Sequence, residues 1–390
     1  MWLKFITVVL VFLLTIFSCD TSFMTRRSAF SIKYMNITER ISSVEKPSVR
    51  NRNPRISFSK TSDLTPIASN LFRCPKNKTD VDCANKTFEF KMKVIRELSK
   101  SLNRRSEENI YNVDYQSETN QKKKLPICML LNSKIKLLRK KDPPFNVNKL
   151  GQLFPKHKLF RKSKGKSCII VSSAGSLTGS GLGNFIDSHD IVMRFNHAPT
   201  EGYETDVGNK TSIRIVNSQV VSKAEFNFLE SKLFKNISLA AWDPGKFNET
   251  LEQWQAKPDF DLFTNYRKFM ESNPNADFHL IDPRSLWDLW KVLQHFSNDS
   301  IPRNPPSSGF IGIAMMLPIC SYLDVVEYIP STRLNGKCHY YSEEINVRCT
   351  FGAWHPLAAE KLFSLHLNSA NDFTVFQLGI IRIRPNWDDC

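Results

Sequence analysis

Nothing in the cysteine or histidine spacing of the 390-residue sequence marks a zinc site: there is no Cys-x-x-Cys pair and no run of histidines. No Gly-Lys-Ser/Thr closes its glycine-rich stretch, which excludes a P-loop. No internal repeat is visible. Acidic residues are scarce in the first 167 positions, 13 against 35 Lys and Arg, whereas the rest of the chain carries 25 acidic residues against 19 basic. The net charge of +16 therefore lies outside the apolar half. A nucleic-acid enzyme carries its positive face on the folded domain, so a solvated basic spacer is the better reading and no nucleic-acid partner is expected. Long apolar runs are also few. The first, residues 5–17 after Lys4, lacks an Ala-x-Ala cleavage site and reads either as a short signal anchor with Lys4 cytoplasmic or as a cleaved signal.

What is present agrees with passage through the secretory route. Seven Asn-x-Ser/Thr sequons occur, at Asn36, Asn77, Asn85, Asn209, Asn236, Asn248 and Asn298, with Asn209 the doubtful one because it lies inside the central motif. Of nine cysteines, Cys19, Cys74, Cys83, Cys128, Cys168, Cys320, Cys338, Cys349 and Cys390, the eight beyond the membrane would pair in an oxidising lumen, although composition does not choose the pairs.

Residues 20–124 are rich in Ser, Asn, Lys and Arg and read as a flexible stem, with a helix over residues 88–101 and a boundary at Lys122-Lys123-Lys124. A further helix is expected over residues 128–139. The chain then organises around residues 168–219. The apolar run 168–171 has the character of a buried parallel strand. A glycine-rich turn follows over residues 172–183, then a short helix over 184–189 and a second strand over 191–195. Such a unit places ligands where strand gives way to turn, and glycine N–H groups can approach a phosphate. The glycine spacing is shared with many NAD(P) dehydrogenases, but the second strand ends Arg194-Phe195-Asn196, with no acidic residue for a ribose.

Downstream, residues 239–242 read as a strand, residues 285–296 as an amphipathic helix and residues 325–329 as another strand. Asn304-Pro305-Pro306-Ser307-Ser308-Gly309 opens an apolar helix over residues 310–320. Ser308 is expected to cap it, making a second anion cradle at a helix N-terminus. A cysteine-bounded loop, residues 338–349, precedes His355-Pro356 and a helix carrying Glu360 and Lys361. Alternating strands and helices predict an α/β fold with a mainly parallel sheet. His355, beside a proline at a helix start, is the most promising titratable residue, since its ordinary pKa suits a general base.

In this order the pieces resemble the animal sialyltransferases over residues 128–390. Residues 168–219 are similar to the family's long motif, and residues 304–330 to its short motif. His339-Tyr340-Tyr341-Ser342 resembles the third motif and His355-Pro356-x-x-x-Glu360 the very short one. Ser172-Ser173-Ala174-Gly175-Ser176-Leu177, Arg194-Phe195-Asn196, Val216-Asn217-Ser218-Gln219 and Trp242-Asp243-Pro244 look most like the β-galactoside α-2,6 branch. The resemblance implies a single Rossmann-like catalytic domain, residues 125–390, whose mainly parallel sheet is flanked by helices, the sialyltransferase variant of the GT-A type. It also implies a cytoplasmic tail (1–4), a signal anchor (5–19) and a lumenal stem (20–124), hence a type II Golgi membrane protein that stem cleavage could release.

The implied donor is CMP-sialic acid and the acceptor galactose-terminated glycans on glycoproteins. Donor contacts fall on Ser173, Asn196, Asn217, Ser307, Ser308, Gly309, Cys338, His339, Thr350, Trp354 and Lys361. Where many relatives have Tyr after the first loop cysteine, this chain has His339. Acceptor contacts fall on Gln219 and Asp259, and His355 is the catalytic base. The family's disulfides would be Cys128–Cys390, Cys168–Cys320 and Cys338–Cys349. Cys74 and Cys83 are an additional pair by proximity. Asp259-Phe260-Asp261 has the Asp-x-Asp spacing of metal-dependent transferases, but the implied donor is a monophosphate and the resembled family is metal-independent, so no metal or other cofactor is expected.

Overall fold

A computed structural model describes residues 80–102, 108–115, 125–160, 165–346, 348–352, 354–388 and 390. The apolar runs become seven short strands: β1 (Lys166–Val171), β2 (Ile191–Phe195), β3 (Ile213–Asn217), β4 (Ser238–Trp242), β5 (Phe278–Leu280), β6 (Cys320–Val326) and β7 (Ile380–Ile383). They form one sheet in the order β5-β4-β3-β2-β1-β6-β7. The first six strands run parallel and β7 returns antiparallel to β6. Residues 168–171 and all of β2 are buried, as strands covered on both faces must be, which is why they read as continuous apolar runs. The expected mainly parallel α/β sheet is present.

Three boundaries differ from expectation. The helix expected over residues 128–139 spans only Pro126–Asn132. Beyond it the chain extends and pairs with the sheet's outer edge: Leu137 bridges antiparallel to Ile281, Leu138 N–H donates to Leu280 O and Asp282 N–H to Lys136 O. These bonds cover an edge that would otherwise present free backbone groups. The strand expected over residues 325–329 is Cys320–Val326, and the helix expected over 310–320 is Ser308–Met316. Pro318 sits in the short turn between them, and Glu327, at φ 51°, turns the chain out of the sheet.

The reading of residues 20–124 as a flexible stem needs correction in part. Asp80–Leu102 is one continuous helix, α1, longer than the expected 88–101, and it packs on the C-terminal helices of the fold. Val94, Ile95, Leu98 and Leu102 are buried along one stripe. Lys91 Nζ pairs with Asp372 at 2.9 Å, and Gln377 Nε2 donates to Thr87 Oγ1 at 2.8 Å. The charges Lys93, Arg96 and Lys100 alternate with this stripe, which is what made the segment look like linker. Residues 60–390 form one compact unit containing every described residue.

All three family disulfides form, Cys128–Cys390, Cys168–Cys320 and Cys338–Cys349. The first two close loops of 262 and 152 residues, and removing such a crosslink costs roughly 2–5 kcal/mol. The expected pair with Cys74, the sequons Asn36 and Asn77, and the expected anchor at 5–19 lie outside the described residues. Asn85, Asn209, Asn236, Asn248 and Asn298 are exposed. Among the described residues no helix is long and apolar enough to cross a membrane.

Candidate active site

The site grows from the C-terminal ends of β2, β3 and β4, where an open parallel sheet places its ligands. β2 ends in Asn196, held in the left-handed region at φ 48°. Buried Arg214 fixes that turn by donating to the carbonyls of Asn196 and Ala198, both at 2.9 Å. Burial pulls the Arg214 pKa down to about 10, still far above neutrality. Asn196 Oδ1 accepts from Asn217 N–H at 3.1 Å, and Asn217 Oδ1 accepts from Val220 N–H at 3.0 Å. The two asparagines expected to meet the donor are thus neighbours at adjacent strand ends. Asn217 caps the short helix Ser218–Ser222 that carries Gln219.

Two glycines of the turn, Gly179 and Gly181, do not offer their amides to a ligand. Gly179 and Gly181 have φ of 73° and 63°, and their N–H groups both donate to the Asp206 carboxylate, at 2.7 and 2.8 Å. The chain supplies its own anion there.

The Ser308–Met316 helix begins two residues earlier than expected, and its cap is Ser307, not Ser308, its Oγ accepting from Phe310 N–H. The Ser307 N–H and hydroxyl both donate to buried Glu360, at 2.7 and 2.5 Å, and Tyr328 OH joins the same carboxylate at 2.8 Å. Ser307 is therefore committed within the protein. The first-turn N–H groups of Ser308 and Gly309 have no intrahelical partner. A Cβ on Gly309 would lie 2.8 Å from the Tyr328 ring, so only glycine lets the helix start sit against it.

Residues 304–309 and 354–360 are laced together. Asn304 Nδ2 donates to Trp354 O at 2.6 Å, and His355 Nδ1 lies 2.8 Å from Pro305 O. A carbonyl only accepts, so His355 Nδ1 carries a proton and the neutral ring keeps its lone pair on Nε2. The half-buried ring rests against Trp354, centroids 4.5 Å apart, with Trp242 6.2 Å away. Trp242 Nε1 donates to Ser308 Oγ at 2.8 Å, tying the end of β4 to the same helix start. Burial lowers the His355 pKa below the ordinary histidine value, although Glu360 and the Pro305 bond oppose the shift.

His355, Trp354, Asn217 and the acceptor candidates Gln219 and Asp259 line one cleft of about 290 Å³, together with Ser218, Trp242, Pro244 and Phe260. Asp259 is set in place by buried Asp243, which accepts from the N–H groups of Asp259 and Phe260 at 3.0 and 3.2 Å and from Trp254 Nε1 at 2.8 Å. Burial pushes the Asp243 pKa up to about 6. Asp261, the other half of the Asp-x-Asp spacing, caps the helix Leu262–Ser272 by accepting from Thr264 N–H.

The remaining donor candidates surround the Cys338–Cys349 loop rather than this cleft. Tyr340 N–H donates to Ser173 O at 3.1 Å, and the His339 ring stacks on Tyr341 at 5.0 Å. Cys338 is in its disulfide. Lys361 is buried, donates to Thr350 O, lies 5.8 Å over the Tyr328 ring, and has its pKa pulled down to about 8 by burial.

Sequence reasoning missed Trp242 as a site residue, although an aromatic before Asp-Pro at a strand end was a usable signal. It also missed Tyr111. That ring packs 6.0 Å from Trp354, and its hydroxyl approaches Asp259 at 3.4 Å, from a segment whose composition gave no hint of order.

The model of glycosyltransferase family 29 (sialyltransferase) covers residues 128–372, and the chain belongs to that family. Among curated proteins it is 41% identical over 278 residues to beta-galactoside alpha-2,6-sialyltransferase 2 of Xenopus tropicalis, covering 70% of this chain and 54% of that protein. It is 42% identical over 256 residues to the Homo sapiens protein of that name, covering 65% and 48%. The chain spans about half the length of the curated relatives it matches. Two solved structures align at 21% identity. One is a mammalian sialyltransferase, TM-score 0.39 over 63% of this chain and 82% of that one; the other is a mammalian sialyltransferase in complex with Gal-beta-1-3GalNAc-ortho-nitrophenol, TM-score 0.37 over 58% and 79%.

Proposed function

We propose that the chain transfers sialic acid from CMP-sialic acid to the 6-hydroxyl of terminal β-galactose on glycoprotein glycans, with inversion. The observation that carries this reading is the cleft in which His355 stands beside Gln219 and Asp259, in a chain of the sialyltransferase family. The relatives' names supply the α-2,6 linkage and the galactoside acceptor.

His355 Nε2 takes the proton of the acceptor's 6-hydroxyl as that oxygen bonds to the anomeric carbon. CMP departs with the electron pair of the broken bond. One displacement inverts the centre, so no carboxylate nucleophile is needed. The Ser308 and Gly309 N–H groups, at the positive end of their helix, take the leaving phosphate. Asn196 and Asn217 orient the cytidine side, and Gln219 and Asp259 bind acceptor hydroxyls. The reaction needs no metal, since helix N–H groups serve the phosphate charge. Activity should therefore persist in excess EDTA, and its abolition would overturn this part. On this reading the protein is a type II Golgi membrane protein with this domain lumenal, a compartment that its three disulfides suit.

The full chain is to be incubated with CMP-sialic acid and N-acetyllactosamine and the linkage determined by NMR. An α-2,6 product on galactose is expected. Transfer to N-acetylgalactosamine instead would move the acceptor assignment, and no transfer to any glycan would leave a silent glycan-binding relative.

A further inference from the structure

A second group of ligand-type side chains converges at the sheet's outer edge, sharing no residue with the cleft. His157 comes from the irregular segment before β1, Asp277 immediately precedes β5, and His279 lies within β5. Both imidazoles bring Nε2 to the same carboxylate oxygen, Asp277 Oδ1, at 2.8 Å for His157 and 2.7 Å for His279. The two rings stand perpendicular, centroids 5.7 Å apart. Ser238 Oγ, at the start of β4, donates to the other oxygen, Asp277 Oδ2, and so fixes the carboxylate's orientation. His279 is buried, whereas His157 and Asp277 keep 32% and 26% of their side chains exposed. Both histidines open onto a groove of about 930 Å³, wide enough for water to reach them.

We propose that His157, Asp277 and His279 form a binding site for one divalent transition-metal ion of the zinc class, which staples the segment around His157 to the edge of the sheet. All three donor atoms lie within 4.8 Å of one another. Two imidazole nitrogens and one carboxylate oxygen are a zinc donor set, with water from the groove completing the shell. The nitrogens favour zinc, copper or nickel over magnesium or calcium, which want oxygen ligands. The Ser238 bond supplies the outer support that metal-bound carboxylates need. Zinc bonds of about 2.0–2.2 Å in tetrahedral array separate donor atoms by about 3.3 Å, so each imidazole nitrogen has to withdraw from Asp277 Oδ1 by about 0.5 Å, a movement the partly exposed His157 segment can supply on its side. Lys156 and Lys158 flank His157 and oppose a cation, which sets the expected affinity in the micromolar range rather than tighter. Among the described residues one other such group exists, Cys338, Glu344 and Cys349, and its two sulfurs are bonded to each other. The site is remote from the reaction cleft, so it is compatible with transfer that needs no metal.

The full chain, stripped with chelator and dialysed, is to be titrated with zinc chloride by calorimetry. One ion per chain is expected, with magnesium failing to compete. His157→Ala should weaken binding at least about 100-fold, while its metal-free melting temperature stays within a few degrees of the metal-free parent. Zinc should also slow tryptic cleavage after Lys156 and Lys158 in the parent and not in the variant. Absence of saturable zinc binding to the parent, or undiminished binding by both His157→Ala and Asp277→Asn, would show that the cluster is a hydrogen-bonded group only. Should the variant not fold, the cobalt spectrum of the parent decides: visible bands of a nitrogen- and oxygen-ligated ion support the site, and their absence overturns it.

Discussion

His355 donates one proton to Pro305 O, and that bond decides which ring nitrogen is left to act. His355→Gln should cut turnover by roughly 10²–10⁴, the range for a lost general base, with an unchanged melting temperature; near-normal turnover would remove it from the role. Because burial lowers its pKa, the ring stays neutral to more acid conditions than an ordinary histidine. The acid limb of kcat/KM should accordingly fall below pH 6.5, the ordinary value for this group, and a limb above it would contradict the assignment. Glu360 was legible as part of a motif, but not what it does, because its partners Ser307 and Tyr328 are 53 and 32 residues away in sequence. Three donors converge on its two oxygens, so Glu360→Gln turns an amide N–H₂ toward one of them, a mismatch worth about 1–3 kcal/mol. The expected result is a lower melting temperature and a raised KM for CMP-sialic acid, with a smaller change in kcat. Unchanged KM and melting temperature would mean that Glu360 does not position the helix start.

The glycine turn, at the scale of elements, shows how a correct local reading can carry a wrong ligand. Glycines at 179 and 181 do adopt left-handed φ and do present N–H groups to an anion, yet the anion is Asp206, 25 residues beyond Gly181 in sequence. Asp206→Ala removes two charge-assisted bonds at an exposed site, so a loss of about 1–2 kcal/mol is expected, readable by urea denaturation. KM for the donor should stay near that of the parent, and a large rise in it would return the turn to the donor site. Strand identity was legible in β1, β2 and β4 because burial on both faces forces continuous apolar runs; β3, whose apolar residues are interrupted by Arg214, was not singled out. Ends were less so. The apolar residues 310–329 give no periodicity to separate a buried helix from a buried strand, and the break is made by Pro318 and by the turn at Glu327.

At the scale of the whole molecule, the chain's charge asymmetry misled the reading of its boundaries. A stem was expected to run to residue 124, yet the 23-residue helix α1 belongs to the body. Its buried stripe of four apolar residues is spread among lysines and arginines, and the surface it covers comes from residues 357–376, so no local pattern announces the pairing. The helices Leu357–His366 and Asp372–Phe376 pack against it, and Phe90 meets Phe376 at a ring separation of 6.4 Å. Each fully buried aliphatic side chain contributes about 1.5–3 kcal/mol, an upper figure because the unfolded chain is itself partly compact. Four of them, with the partly buried Lys91–Asp372 pair, amount to a large share of the roughly 5–15 kcal/mol that holds a domain folded. A fragment beginning at Leu125 should therefore unfold at markedly lower denaturant than one beginning at Lys60 and should be secreted in lower yield. It should also lose acceptor affinity, because Tyr111, which lies against Trp354 and beside Asp259, goes with the deleted segment. Equal denaturation midpoints for the two fragments would show that α1 only rests on the surface. Equal midpoints together with equal KM for N-acetyllactosamine would restore residue 125 as the boundary of the catalytic domain.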